Sequence, residues 1–197
     1  MVVFVYLLLT AILGDYLVLR QSNAAAKALF DNATHAIIGS LCWTLFYINS
    51  NKIGVSAKYI IFEIAICALI ASMIDLDHFI AAKSFSLKDA TRLKNRPFLH
   101  CTTLPLVVFM ILAVISYSLQ WNSLKRFALL LLTAFISHHI RDATRRGLWL
   151  YPFGSTAPIP YAFYITLTCL VPFVFLSLER LMVIQNNDNH NNLLEVL

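Results

Sequence analysis

Charge is what this sequence has least of. Asp, Glu, Lys and Arg make up only 13% of its 197 residues, where a soluble domain carries roughly a quarter. With 59% hydrophobic residues and a mean hydropathy of +0.74, the deficit excludes an ordinary soluble domain and makes the chain an integral membrane protein. Cysteine is scarce and scattered. Cys42, Cys67, Cys101 and Cys169 form no C-x-x-C pair and mostly lie in apolar runs, which excludes a disulfide framework or a zinc knuckle and leaves them as small apolar residues. No internal repeat and no C-terminal retention signal is present, so no organelle is indicated. A basic stripe is missing too. Although the formal charge is +5, the basic residues sit in short loops between apolar runs, where they set topology and meet anionic lipid. Nucleic acid is not an expected partner.

What is present is a succession of apolar runs. Val2 to Leu19 lacks the basic flank of a signal peptide and reads as a first transmembrane helix. Asn23 to Ile48 follows; its uninterrupted apolar part begins at Ala36 and is short of the ~20 residues a span needs, so His35 must enter the hydrocarbon edge. Tyr59 to Ile80 and Cys101 to Leu119 are the third and fourth runs. Phe127 to Ile136 is again too short alone, and Ser137 to Asp142 should extend it as helix. Tyr161 to Leu178 is the sixth, with Pro172 tolerated as a kink. The expected fold is all-α, a multi-pass transmembrane bundle of about six helices. Residues 1–184 form one membrane domain, and 185–197 a polar, disordered tail.

Six spans fix an alternating topology. Loops one, three and five carry ten of the fifteen basic residues, so the positive-inside rule puts those loops in the cytosol. Five of the six histidines then fall on that face: His35, His78, His100, His138 and His139. They come from four helices and are accompanied by Asp31, Asp75, Asp77 and Asp142. His138 and Asp142 are four apart, and Asp75 and His78 three apart, so each pair shares a helix face. Imidazole and carboxylate on facing helices are how bundles build metal sites, and mixed N and O donors suit zinc, manganese or iron rather than copper(I) or calcium. Arg96, Arg141, Arg145 and Arg146 lie on the same face, and guanidinium matches phosphate oxygens in pairs. Trp149 to Gly154 reads as an aromatic interfacial turn. Glu63 stands alone on the other side and receives no role.

These residues carry a resemblance. Asp31-Asn32-Ala33-Thr34-His35, Asp75-Leu76-Asp77-His78, Arg96-Pro97-Phe98-Leu99-His100-Cys101 and Ser137-His138-His139-Ile140-Arg141-Asp142, followed by Tyr151-Pro152-Phe153-Gly154, closely resemble the transmembrane protein 267 family over about Asp31 to Pro160. The order of these motifs is also similar to the YdjM-type bacterial membrane proteins, which implies a membrane-bound, metal-dependent hydrolase. By position the resemblance makes His35, Asp77, His100, His138 and Asp142 metal ligands. Asp75, His78 and His139 become further ligands, supporting residues or a base. One departure stands out: the bacterial pattern has His and Thr where this chain has Asn95 and Leu99.

Two functions follow as expectations. In the first, His35, Asp75, Asp77, His100, His138 and Asp142 hold a divalent metal, His78 and His139 handle protons, and Arg96 and Arg141 neutralise the phosphate of a phospholipid or another phosphorylated amphiphile. In the second, the same residues form a structural polar network without catalysis. A transporter is disfavoured because the polar residues gather at one end, not at the midplane. Oligomeric state is not indicated.

Overall fold

The computed structural model describes residues 1–50 and 56–195, with side chains through residue 182. Six long helices carry the chain: α1 (Val2–Arg20), α2 (Ala24–Asn49), α3 (Ala57–Met73), α6 (Thr103–Ser118), α7 (Asn122–Arg146) and α8 (Tyr161–Glu195). Two short ones, α4 (Asp77–Ala82) and α5 (Leu87–Ala90), lie between α3 and α6. The all-α bundle expected from the apolar runs is present. His35 is buried on a continuous α2, and α7 runs through Ser137 to Asp142 as anticipated. The backbone of α8 is helical to Glu195, and the last two residues of the expected polar tail lie outside the described residues.

The bundle is apolar on its outer faces, and its interior combines an apolar core with buried polar side chains. Val2–Arg20, the stretch Ala57–Ala82 and Tyr161–Met182 are long and apolar enough to cross a membrane, and Thr103–Ser118 is a shorter apolar helix. α2 and α7 fall outside that set because polar side chains make them less apolar, not because they are short. Their 26 and 25 residues span about 39 and 37 Å at ~1.5 Å per residue. These two are the central helices. α2 packs against α1, α3, α7 and α8, and α7 against α2, α3, α6 and α8. The apolar core joins Trp43 and Phe46 of α2, Leu129 and Leu132 of α7, and Tyr164 of α8. Lipid accepts the apolar outer faces, while polar side chains facing inward must find partners among themselves.

One such partnership was not anticipated. Glu63 of α3 is buried and takes a bidentate ion pair from Arg126 of α7. Trp43 Nε1 donates to Glu63 Oε2 at 3.2 Å, and the Arg126 guanidinium lies 5.5 and 5.2 Å from the Trp43 and Tyr47 rings. Glu63 is therefore far from isolated: it ties α2, α3 and α7 together at the end of the bundle opposite the histidines.

Two local features shape the histidine end. The third helix breaks at a 3-10 turn over Ile74–Leu76 before resuming as α4. α7 stops at Gly147, whose φ of 70° lies in the left-handed region that glycine adopts without strain. Beyond it, Trp149–Leu150 and Gly154–Ser155 form a small antiparallel hairpin with exposed Tyr151 and Phe153, which is the interfacial turn expected there.

Removing one member of a buried ion pair costs about 3–5 kcal/mol, whereas replacing both by apolar residues is often neutral. Glu63→Leu alone should therefore lower the melting temperature in detergent sharply. Glu63→Leu with Arg126→Met should recover most of the loss. Equal losses in single and double variants would show that the pair does not couple the helices.

Candidate metal centre

Four side-chain atoms from three segments converge at the histidine end: Asp75 Oδ1 from the 3-10 turn, His100 Nε2 from the 3-10 turn Phe98–His100, and His138 Nε2 and Asp142 Oδ2 from α7. His100 Nε2 stands 3.4 Å from His138 Nε2, 3.5 Å from Asp75 Oδ1 and 3.3 Å from Asp142 Oδ2. His138 Nε2 is 3.6 Å from Asp75 Oδ1 and 3.4 Å from Asp142 Oδ2. A tetrahedron with ligands about 2.0–2.2 Å from its centre, the zinc distances for N and O donors, has edges of about 3.3–3.6 Å. These five donor–donor distances thus fit a tetrahedral metal site.

Each imidazole is held so that the converging nitrogen is free to accept. His138 Nδ1 lies 2.8 Å from the Ala71 carbonyl. A carbonyl only accepts, so the proton sits on Nδ1 and the lone pair on Nε2. His100 Nδ1 lies 3.3 Å from both oxygens of Asp77, which also accepts from the Leu99 N–H at 2.7 Å. Asp77 therefore orients His100 as carboxylates orient metal-bound histidines. The break in the third helix matters here. Two residues apart on an unbroken α-helix, Asp75 and Asp77 would point to opposite sides; with the 3-10 turn between, they address the two nitrogens of His100.

Electrostatics favour a cation. Burial works against charge on the His100 ring, but hydrogen bonding to Asp142, Asp75 and Asp77 outweighs it and lifts its pKa to about 11. Without a metal, a proton held on His100 offsets one of the three carboxylate charges around it. Asp142 Oδ1 and Asp77 Oδ1 are buried beside imidazole nitrogens, His35 Nε2 at 3.4 Å and His78 Nδ1 at 3.2 Å, and buried carboxylates of this kind call for positive charge nearby.

The remaining sequence candidates sort around this centre. His35 stacks on His138 with centroids 3.7 Å apart, and its Nε2 is 3.4 Å from Asp142 Oδ1; it backs the cluster without joining the four atoms. His139 donates from Nε2 to the Leu99 carbonyl at 2.8 Å, bracing the turn that carries His100. His78 Nδ1 is 3.2 Å from Asp77 Oδ1, and its ring stands edge-on to His100. Arg141 is turned elsewhere: it is fully buried, with Nη2 2.9 Å from Asp15 Oδ1 and Nη1 2.7 Å from Asp31 Oδ1. Arg145 takes the same Asp31 through two nitrogens, so Asp31 belongs to the arginines and not to His35. Arg96 donates to the Gly147 and Arg146 carbonyls, capping α7. Burial and then the neighbouring Arg146 guanidinium push the Arg96 pKa down.

A pocket of about 440 Å³ opens onto the cluster, lined among others by Asp75, His78, His100, Asp142, Arg96 and Arg146. The departures from the bacterial pattern leave this geometry intact. The contacts made at Leu99 use its backbone N–H and carbonyl, and four donor atoms converge without any from position 95. Sequence reasoning missed Asp15 and Glu63, the partners of Arg141 and Arg126. The signal was available: a charge at membrane depth calls for an opposite charge.

The family model described as "YdjM inner membrane protein" matches residues 30–196. Transmembrane protein 267 of Danio rerio is 43% identical over 156 residues, covering 77% of this chain and 66% of that protein. The Bos taurus and Xenopus laevis proteins of the same name are 39% and 42% identical over 155 residues, each covering 78% of this chain and 69% of the relative. No solved structure matches. The aligned part thus spans about two thirds of these relatives, and the chain belongs to the YdjM inner membrane protein family.

The contrast between Asp77 and His139 is testable by zinc titration against a chelator. Asp77→Asn should weaken binding about 10–100-fold, as loss of an orienting carboxylate does. His139→Gln, which can still donate to Leu99, should leave affinity unchanged. Equal affinities in wild type and Asp77→Asn would remove Asp77 from this role.

Proposed function

On that family membership and this geometry, we propose that the protein is a metal-dependent hydrolase of the membrane surface, acting on a phosphorylated amphiphile such as a phospholipid. The reading rests on the convergence of Asp75, His100, His138 and Asp142 at tetrahedral spacing. Those four residues would hold zinc, which as a Lewis acid polarises a phosphoryl oxygen and acidifies a water.

The chain's own residues supply the rest. Asp77 fixes the His100 ring, and the Ala71 carbonyl fixes His138. His78 lines the pocket and has Asp77 at its Nδ1, which suits it to hold or pass a proton at Nε2. Arg146 and Arg96 at the pocket supply positive charge for the phosphate. Arg141, bound to Asp15 and Asp31, acts instead by locking α1, α2 and α7 together. The balance of basic residues assigns this end to the cytosolic face.

The polar residues thus divide in two. The arginine half, Arg141 and Arg145 with Asp15 and Asp31, is a structural network whose charges are matched. The histidine half gathers donor atoms of Asp75, His100, His138 and Asp142 beside the pocket, and that half carries the chemistry.

The purified protein should contain one zinc per chain by elemental analysis, and His138→Ala with Asp142→Ala should abolish it. Release of phosphate or headgroup from phospholipid vesicles should vanish with the metal and return on adding zinc. A metal-free wild type, together with a sharp loss of thermal stability in the double variant, would instead make the histidine half structural.

A further inference from the structure

The pocket over the metal centre has an uneven rim. Its exposed lining residues include Leu29 on α2 and Leu76 at the α3–α4 junction, and Arg145 and Arg146 at the end of α7. One part of the rim is therefore apolar and another cationic. α2 packs closely on α1, α3, α7 and α8, and among the described residues no packing of that extent joins it to α4 or α5, which line the same pocket. Exposed Phe85, Phe98, Tyr151 and Phe153 belong to this same end of the bundle, where aromatic side chains sit at headgroup depth.

Size narrows what enters. A cavity of about 440 Å³ lies within the ~300–1,000 Å³ of small-ligand pockets, which suits a headgroup and the first atoms of a chain rather than a whole two-chain lipid. The rest of such a molecule must lie outside, and Leu29 and Leu76 are the apolar side chains exposed at the rim to receive it.

We propose that the gap between α2 and the α4–α5 segment is a lateral portal: the chains of a phosphate-bearing membrane lipid pass over Leu29 and Leu76 while its headgroup occupies the pocket beside Arg146. The inference deepens the hydrolase reading by naming a membrane-embedded substrate, but the binding it asserts does not depend on turnover. A soluble phosphate ester offers the same headgroup chemistry without chains to cross the apolar rim.

Native mass spectrometry of the full chain tests this with dioleoyl phosphatidate and, separately, glycerol 3-phosphate. Wild type should retain phosphatidate and not glycerol 3-phosphate. Leu29→Trp with Leu76→Trp should cut phosphatidate retention at least ~10-fold, the equivalent of about 1.4 kcal/mol, with zinc content and melting temperature unchanged. A second measurement needs no substitution: phosphatidate with a photoreactive group in its acyl chain should label wild-type peptides around Leu29 and Leu76. Undiminished retention by the double variant, equal retention of glycerol 3-phosphate, or labelling confined to the outer faces of α1 and α8 would each overturn the portal. A protein that holds no zinc and hydrolyses nothing, yet loses phosphatidate in the double variant, would keep the portal and end the hydrolase reading.

Discussion

Three carboxylates closing on one histidine is the constraint on which the histidine end of this bundle depends. Asp75, Asp77 and Asp142 all come within 3.5 Å of a His100 nitrogen, at the edge of a membrane where water is scarce. Such a group cannot persist without positive charge, because an uncompensated buried carboxylate costs several kcal/mol. Protonation of His100 is one answer and a divalent metal another. The tetrahedral spacing of the donor atoms, and the hydrogen bonds that leave both Nε2 lone pairs pointing inward, favour the metal. The broken third helix, the Phe98–His100 turn and the C-terminal half of α7 are arranged around that requirement.

The same logic accounts for the order of the layers. The outer helices α1, α3, α6 and α8 present apolar faces that can meet lipid. α2 and α7 lie between them and carry Asp31, Arg126 and Arg141, which pair with one another or with charges that α1 and α3 turn inward. Because lipid does not drive apolar surfaces together as water does, ion pairs and hydrogen bonds bear more of the helix association. Two clusters at opposite ends do this: Glu63 with Arg126 and Trp43 at one, and Arg141 with Asp15 and Asp31 at the other.

Much of this was legible in the sequence. The two short apolar runs announced that α2 and α7 must take polar residues into the bundle, and the i, i+4 spacing of His138 and Asp142 survives as a 3.4 Å contact. Alternation of the spans alone brings five of the six histidines to one end. What failed to show was how partners are shared. Asp31 and His35 have helical spacing, yet Asp31 faces two arginines, because a guanidinium a helix away competes better than a neutral imidazole on the same one. Nor could spacing reveal the 3-10 turn that swings Asp75 and Asp77 onto opposite nitrogens of His100. Charge in the membrane foretold that Glu63 and Arg141 need partners, but which helix supplies them is a matter of packing.

The central claim is that two histidines and two carboxylates hold one tetrahedral metal. X-ray absorption at the zinc edge of the purified protein tests it most directly. The account predicts four N or O neighbours at about 2.0–2.1 Å, with the outer-shell scattering of two imidazoles and no sulfur. A shell of sulfur at about 2.3 Å, six-fold coordination, or no bound metal would contradict it.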